Sequence, residues 1–349
     1  MLLLIRKDWF LKIMEISHKQ SEIIKFFLTR FPFLGLGISL ILNLGGKDSL
    51  IAIILGYILG IGIIYIYNKL VNYIDNDSFN KLIKIIFIIY YSLLISIEVI
   101  IFVCFIRDFF LPYTNTIISA LPFIFLAIYL ANKGIVAISQ TSKILFIILL
   151  GFFFLTFVTL ISSVHLDNFL PILTIKKISL FKASLSFAVL STAPYFIMIK
   201  EKAPFKSDLK VYSLGCLSIF LSVFVILGIF GGNLVKVFSY PEYTVLRQIK
   251  ALGFLENIEN FVVLSWFFDI FITLTTLFYK LKKNINIKNN YALYFISLII
   301  LLIINHFVIN NYIAIDYIFK YIVYILLGFI LVLIILLFIK SNEKYKQPL

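Results

Sequence analysis

Residues 144–161 read ILFIILLGFFFLTFVTLI, eighteen positions without a charged side chain. A helix rises 1.5 Å per residue, and the hydrocarbon core of a bilayer is about 30 Å thick, so about twenty such residues span it. The run is therefore read as a membrane helix, and it is one of ten. The others cover about 26–44, 49–68, 85–106, 115–131, 181–199, 211–232, 260–279, 291–309 and 317–339, with this one at 143–162. The fourth is short and begins after Pro112; the sixth is interrupted by Ser191-Thr192-Ala193-Pro194. The expected fold class is an all-α integral membrane protein with ten transmembrane helices.

Composition agrees. Of 349 residues, 62% are apolar and 14% charged, whereas a soluble domain is nearer one half and one quarter. Lipid in place of water explains the excess. The 38 Phe suit the hydrocarbon and the 20 Tyr its edges. The formal charge of +14 falls in short loops between apolar runs, which points to membrane orientation and against nucleic acid as a partner. With the N-terminus in the cytoplasm, 21 Lys and Arg lie on the inner side and 9 on the outer, and Arg30 falls within the first span. That ratio follows the positive-inside rule. It requires an even number of spans and predicts both termini in the cytoplasm.

The domain reading follows. Residues 1–20 form a cytoplasmic or interfacial segment with no evident cleavable signal. Residues 21–340 form one permease-like membrane domain with halves of about 21–162 and 181–340, and residues 341–349 form a cytoplasmic tail. The longest outer connections are about 163–180 and 233–259. The second contains an amphipathic stretch, Val245 to Ile258, expected to lie as a short helix on the outer surface.

Two spans carry helix breakers near their middle. The first reads Thr29-Arg30-Phe31-Pro32-Phe33-Leu34-Gly35-Leu36-Gly37, and the sixth Leu190-Ser191-Thr192-Ala193-Pro194-Tyr195. Proline removes a backbone donor and clashes with the preceding turn, and nearby glycines make unwinding cheap. Breaks at corresponding places in two halves point to a transporter-type binding site, because freed backbone groups must line a cavity or be buried in protein. Arg30, Pro32, Gly35, Gly37, Ser191, Thr192, Ala193, Pro194 and Tyr195 are the resulting candidates. Two carboxylates deep in the bilayer join them: Glu98 in the third span and Asp269 in the eighth, since such groups cost a few kcal/mol and default to functional roles. Arg30 lies about one turn from the cytoplasmic edge, where it is free to snorkel to the headgroups.

The remaining polar residues point to structure. Asn305 and His306 suit hydrogen bonds between helices. Gly56 and Gly60 make a small-residue face for close packing. Cys104 and Cys216 sit in apolar runs as packing residues. Three scattered histidines make no metal site, and no phosphate loop or nucleophile elbow is present. No cofactor, metal or enzymatic activity is expected.

The chain resembles the spore germination receptor permease subunit family (GerAB/GerKB-like), within the amino acid–polyamine–organocation transporter superfamily. The resemblance rests chiefly on Tyr240-Pro241, Arg247-Gln248-Ile249, the run from Gly253 to Glu259, and Trp266. Ile16-Ser17 with Gln20, Gly45-Gly46-Lys47-Asp48-Ser49 and Asn168-Phe169-Leu170-Pro171 add to it. It implies a five-plus-five inverted repeat whose first and sixth helices break at the substrate while the third and eighth face it. By resemblance the chain binds a small nutrient, an amino acid, beside a larger membrane subunit and a lipoprotein subunit of a germination receptor. The chain departs from the pattern at Arg30-Phe31-Pro32, where a glycine-rich segment is expected, at Asn257 in place of a basic residue, and at Gln140 where arginine is frequent. Two other readings stand beside this one: an autonomous amino acid or amine transporter coupled to protons or cations through Asp269 or Glu98, and a scaffold without a ligand.

Overall fold

The computed structural model describes residues 18–73, 81–198, 203–248, 259–285, 291–304 and 312–345. The described residues are helical, with no strand among them. In chain order the α-helices are α1 (His18–Arg30), α2 (Leu36–Gly45), α3 (Ser49–Tyr73), α4 (Lys81–Phe109), α5 (Thr116–Lys133), α6 (Ile135–Ile161), α7 (Lys177–Thr192), α8 (Phe205–Leu234), α9 (Pro241–Gln248), α10 (Glu259–Ile285), α11 (Tyr291–Ile304) and α12 (Tyr312–Tyr345).

Among the described residues, six helical stretches are long and apolar enough to cross a bilayer: Leu36–Lys69, Ile83–Phe109, Ile135–Ile161, Lys177–Met198, Phe205–Val237 and Glu259–Ile285. Ile117–Lys133, Tyr291–Ile303 and Tyr321–Leu336 are apolar but shorter. Only 17% of the most apolar window of α6 is buried, and Ile144, Ile147 and Phe154 point outward. In water that face would be a large exposed apolar patch; in lipid it costs nothing. The chain is an integral membrane protein.

The predicted first span is two helices. α1 stops at Arg30, Phe31–Phe33 form one 3₁₀ turn through Pro32, and α2 starts at Leu36. Gly35 makes the corner with φ of 53°, a region that L side chains rarely adopt. A Cβ on Gly37 would stand 1.8 Å from the Pro32 carbonyl oxygen, so the turn closes on a residue without a side chain. The sixth span changes character at its proline too: α7 ends at Thr192 and Ala193–Met198 continue as 3₁₀ helix.

Some boundaries move. The predicted connection between the fourth and fifth spans shrinks to Gly134, whose φ of 95° turns the chain sharply; Ile135 to Ser142, with Gln140, already belong to α6. The helix expected from Val245 begins at Pro241, where proline supplies a ready-made first turn. It lies against the protein, with Tyr243, Val245 and Leu246 buried. The interfacial reading of the N-terminus falls mostly outside the described residues. So do residues 249–258, Asn305 and His306, Lys200 and Lys202, and residues 346–349 of the tail, whose first five residues, 341–345, continue α12.

The core gathers around α10, which packs on α1, α4, α5 and α6, while α7 packs on α3 and α8 on α1. Gly56 and Gly60 of α3 make the α7–α8 side tight: added Cβ atoms would meet Ser184 O at 2.5 Å and the Tyr212 hydroxyl at 1.8 Å. This small-residue face serves internal packing. At the end that the charge count assigns to the outside, two sequence markers meet. The Asp48 carboxylate accepts the backbone N–H groups of Leu173, Thr174 and Ile175 at 2.6, 2.8 and 3.1 Å. The Lys47 ammonium donates to Leu170 O. The loop of residues 163–176 is thereby tied to the α2–α3 corner.

Candidate functional site

Because α1 ends at Arg30, the guanidinium stands where the helix stops, with its side chain 11% exposed. It does not snorkel to the headgroups. Its Nη2 lies 3.2 Å from Oδ2 of Asp269, which is fully buried on α10. The pairing forms because α10 packs directly along α1. It leaves work undone: among the described residues, Arg30 Nη1 and both Asp269 oxygens are buried without a hydrogen-bond partner. Glu98 on α4 is near enough to Asp269 for their charges to interact. It is also fully buried, and neither of its carboxylate oxygens has a hydrogen-bond partner among the described residues.

A fourth charged group completes the cluster, and the sequence reading missed it. Glu242, second residue of α9, accepts the Gly35 N–H at 3.3 Å through Oε2. It faces Arg30 and Asp269, with Trp266 beside it on the same cavity wall. Burial among these groups pushes its carboxyl from an ordinary 4.5 up to about 8, against the pull of the Gly35 N–H, Arg30 and Trp266. The sequence carried one hint, since Glu242 directly follows Tyr240-Pro241. As a charge in an outer loop it looked solvated.

Arg30, Glu242 and Trp266 line a cavity of about 60 Å³ whose other walls are mostly apolar, among them Phe152, Phe157, Val245 and Phe261. Tyr240 and Trp266 wall the break itself: a Cβ on Gly35 would come within 2.4 Å of Tyr240 and 3.4 Å of Trp266. Phe105 of α4 holds both rings, with centroids 5.3 and 4.8 Å away.

The sixth-span candidates sit differently. Pro194 and Leu190 share a separate apolar cavity of about 20 Å³ with Pro32, Gly37 and Ile97, so the two prolines are neighbours. The polar atoms of that segment are occupied by protein. Ser191 Oγ bonds Phe187 O and the Tyr212 hydroxyl. Thr192 Oγ1 donates to Ala188 O. Ala193 O accepts the Tyr90 hydroxyl. Tyr195 meets Thr29 Oγ1 at 3.4 Å. The structure thus brings Arg30, Gly35, Glu98 and Asp269 into one polar cluster and leaves Ser191, Thr192, Ala193 and Tyr195 in a satisfied network beside it.

Toward the other end, Lys25 is buried and paired with Asp208 of α8, whose second oxygen accepts from Asn68 at 3.0 Å. The sequence reading counted Lys25 with the solvated inner loops. The pair clamps α1 to α8.

A family model described as "Spore germination protein" matches residues 21–314. Over 189 residues the chain is 26% identical to a Bacillus subtilis (strain 168) protein named "Putative spore germination protein YfkT", covering 53% of this chain and 52% of that relative. The aligned part thus spans about half the length of the curated relative.

Proposed function

Since the chain belongs to the spore germination protein family, we propose that it is a permease-like subunit that binds a small nutrient, an amino acid, at the break in its first span, as part of a germination-receptor-type complex. The fold proposed with it has ten spans, two inverted halves of about 21–162 and 181–340, and both termini cytoplasmic. The partners proposed are a larger membrane subunit and a lipoprotein subunit.

One observation carries the reading: the Arg30–Asp269 pair, with Arg30 Nη1 and both Asp269 oxygens buried and lacking hydrogen bonds among the described residues. A buried polar group without a partner is costly. A zwitterion supplies what each lacks, a carboxylate for the guanidinium and an ammonium for the aspartate. Binding there shifts an equilibrium between membrane conformations, and that shift is the signal. The test is thermal stabilisation of the purified chain across a panel of amino acids. Stabilisation abolished by Asp269→Asn supports the reading; no stabilisation by any zwitterion, alone or with the partner subunits, removes it.

The second reading, coupled transport, draws support from Glu98. A buried carboxylate with no hydrogen-bond partner among the described residues, beside Asp269, is chemically suited to take up and release a proton. Uptake of labelled amino acid into proteoliposomes by the lone chain, lost in Glu98→Gln, separates it from the receptor reading.

A further inference from the structure

The Gly35 N–H is a backbone donor at the helix break, and it is held by the Glu242 side chain of α9. That contact spans more than two hundred positions of sequence and joins α9 to the first span. Arg30 lines one cavity together with Glu242, and its Nη1 has no hydrogen-bond partner among the described residues. A carboxylate bridging Nη1 and the Gly35 N–H would satisfy both donors. Glu242 satisfies one of them: it sits on the Gly35 N–H but is not within ion-pairing distance of Arg30 among the described residues.

We propose that the Glu242 carboxylate is a built-in occupant of the ligand's carboxylate subsite. A ligand bearing its own carboxylate displaces it and thereby releases α9 from the break. Resting on the binding function proposed above, this makes Glu242 a specificity-determining residue. Ligands with a carboxylate compete with it; amines without one do not. The surrounding chemistry agrees. A free carboxylate can close on Arg30, whose charge Glu242 meets only from beyond ion-pairing distance, and Trp266, which lines the same cavity as Glu242, is left to follow α9 or to face the ligand. The reporter is present as well: the chain has two tryptophans, and Trp266 touches the subsite while Trp9 lies far along the sequence.

The test uses the full chain in lipid nanodiscs with Trp9→Phe, reading Trp266 fluorescence and thermal stability. Glu242→Ala removes the tethered carboxylate, and acetate, a carboxylate small enough for the place, is titrated in. The expected result is saturable recovery of the parent fluorescence by acetate but not by methylammonium chloride. At pH 9, above the point near 8 where the Glu242 carboxyl loses its proton, acetate is expected to bind Glu242→Gln, which keeps the size of the side chain, about tenfold more tightly than the parent, since an amide is a weaker acceptor than a carboxylate. Acetate without effect on Glu242→Gln, or equal effects of acetate and methylammonium, would overturn the proposal. The glutamine variant decides the matter if the alanine variant does not fold. Amino acids are titrated in parallel: acetate binding without any amino acid response leaves the subsite standing and defeats the binding function, so the two failures are distinguishable.

Discussion

Removing one member of the Arg30–Asp269 pair is the sharpest test of whether this cluster is a site or a strut. Asp269→Asn leaves the Arg30 guanidinium with a side chain 11% exposed and its nearest counter-charge gone. Breaking a buried ion pair from one side costs about 3–5 kcal/mol, because the surviving charge stays desolvated. Glu242 is close enough to recover part of that charge interaction, so about 3 kcal/mol is the expected loss. Arg30→Met should cost a similar amount. The double variant Arg30→Met/Asp269→Leu removes both charges and both desolvation costs, and should return to within about 1 kcal/mol of the parent. Thermal unfolding of the four proteins in nanodiscs gives the stability cycle, and amino-acid-dependent stabilisation gives the binding cycle. A pair that serves the ligand yields a double variant that is stable and silent. If the double variant responds to ligand as the parent does, the pair is a helix-to-helix brace and the zwitterion argument is refuted.

Other outcomes follow from the same geometry. Gly60→Ala places a Cβ 1.8 Å from the Tyr212 hydroxyl, whereas Gly62→Ala meets nothing within 4 Å; unfolding midpoints should fall for the first and stay or rise slightly for the second, in line with about 1 kcal/mol of helix propensity. Asp48→Asn turns a buried carboxylate holding three loop N–H groups into a weaker acceptor and should cost about 2 kcal/mol, seen as faster hydrogen exchange over residues 173–175. The Glu242 carboxyl, raised to about 8 in the fold, makes stability depend on pH. The folded state holds its proton where the unfolded chain has lost it, so this contribution is full below about pH 4 and declines as pH rises toward 8. Burial raises it most, the Gly35 N–H, Arg30 and Trp266 pull it down, and Asp269 adds to the rise. Melting curves from pH 5 to 9 should show a slope that Glu242→Gln flattens; an unchanged slope would mean that another group titrates.

The apolar runs made the helices legible because lipid leaves little choice. A stretch such as 144–161 has no polar surface to offer water, and α6 duly presents Ile144, Ile147 and Phe154 outward. The break at Pro32 was legible for a local reason, a proline followed by two glycines, and Gly35 does take a left-handed φ. The partners of charged groups were not legible. Lys25 looked like a loop lysine and pairs with Asp208 across the bundle. Arg30 looked near enough to the edge to snorkel because the span was read from about residue 26, whereas the helix that ends at it already runs from His18; pairing with a carboxylate was an open reading, but which carboxylate was not legible. In each case the deciding fact is which helix lies alongside, and periodicity within one segment carries no record of that.

The two proline breaks began as a matched pair, and the structure gives them unequal parts. At the sixth span, tyrosines close the account: Tyr90 and Tyr212 of neighbouring helices bond Ala193 O and Ser191, and the span's own Tyr195 meets Thr29. Hydroxyls packed this way restore what the proline removed, and little backbone polarity faces the cavity that Pro32 and Pro194 share. At the first span the freed donor meets a carboxylate on a separate element, next to an ion pair whose hydrogen bonds are incomplete. Polar groups satisfied by their own scaffold hold a helix in place; polar groups satisfied by a movable element can exchange that partner for another. A ligand therefore has more to gain at Arg30 and Gly35 than at Ser191 and Thr192. The sixth span is better understood as the wall against which the first one bends.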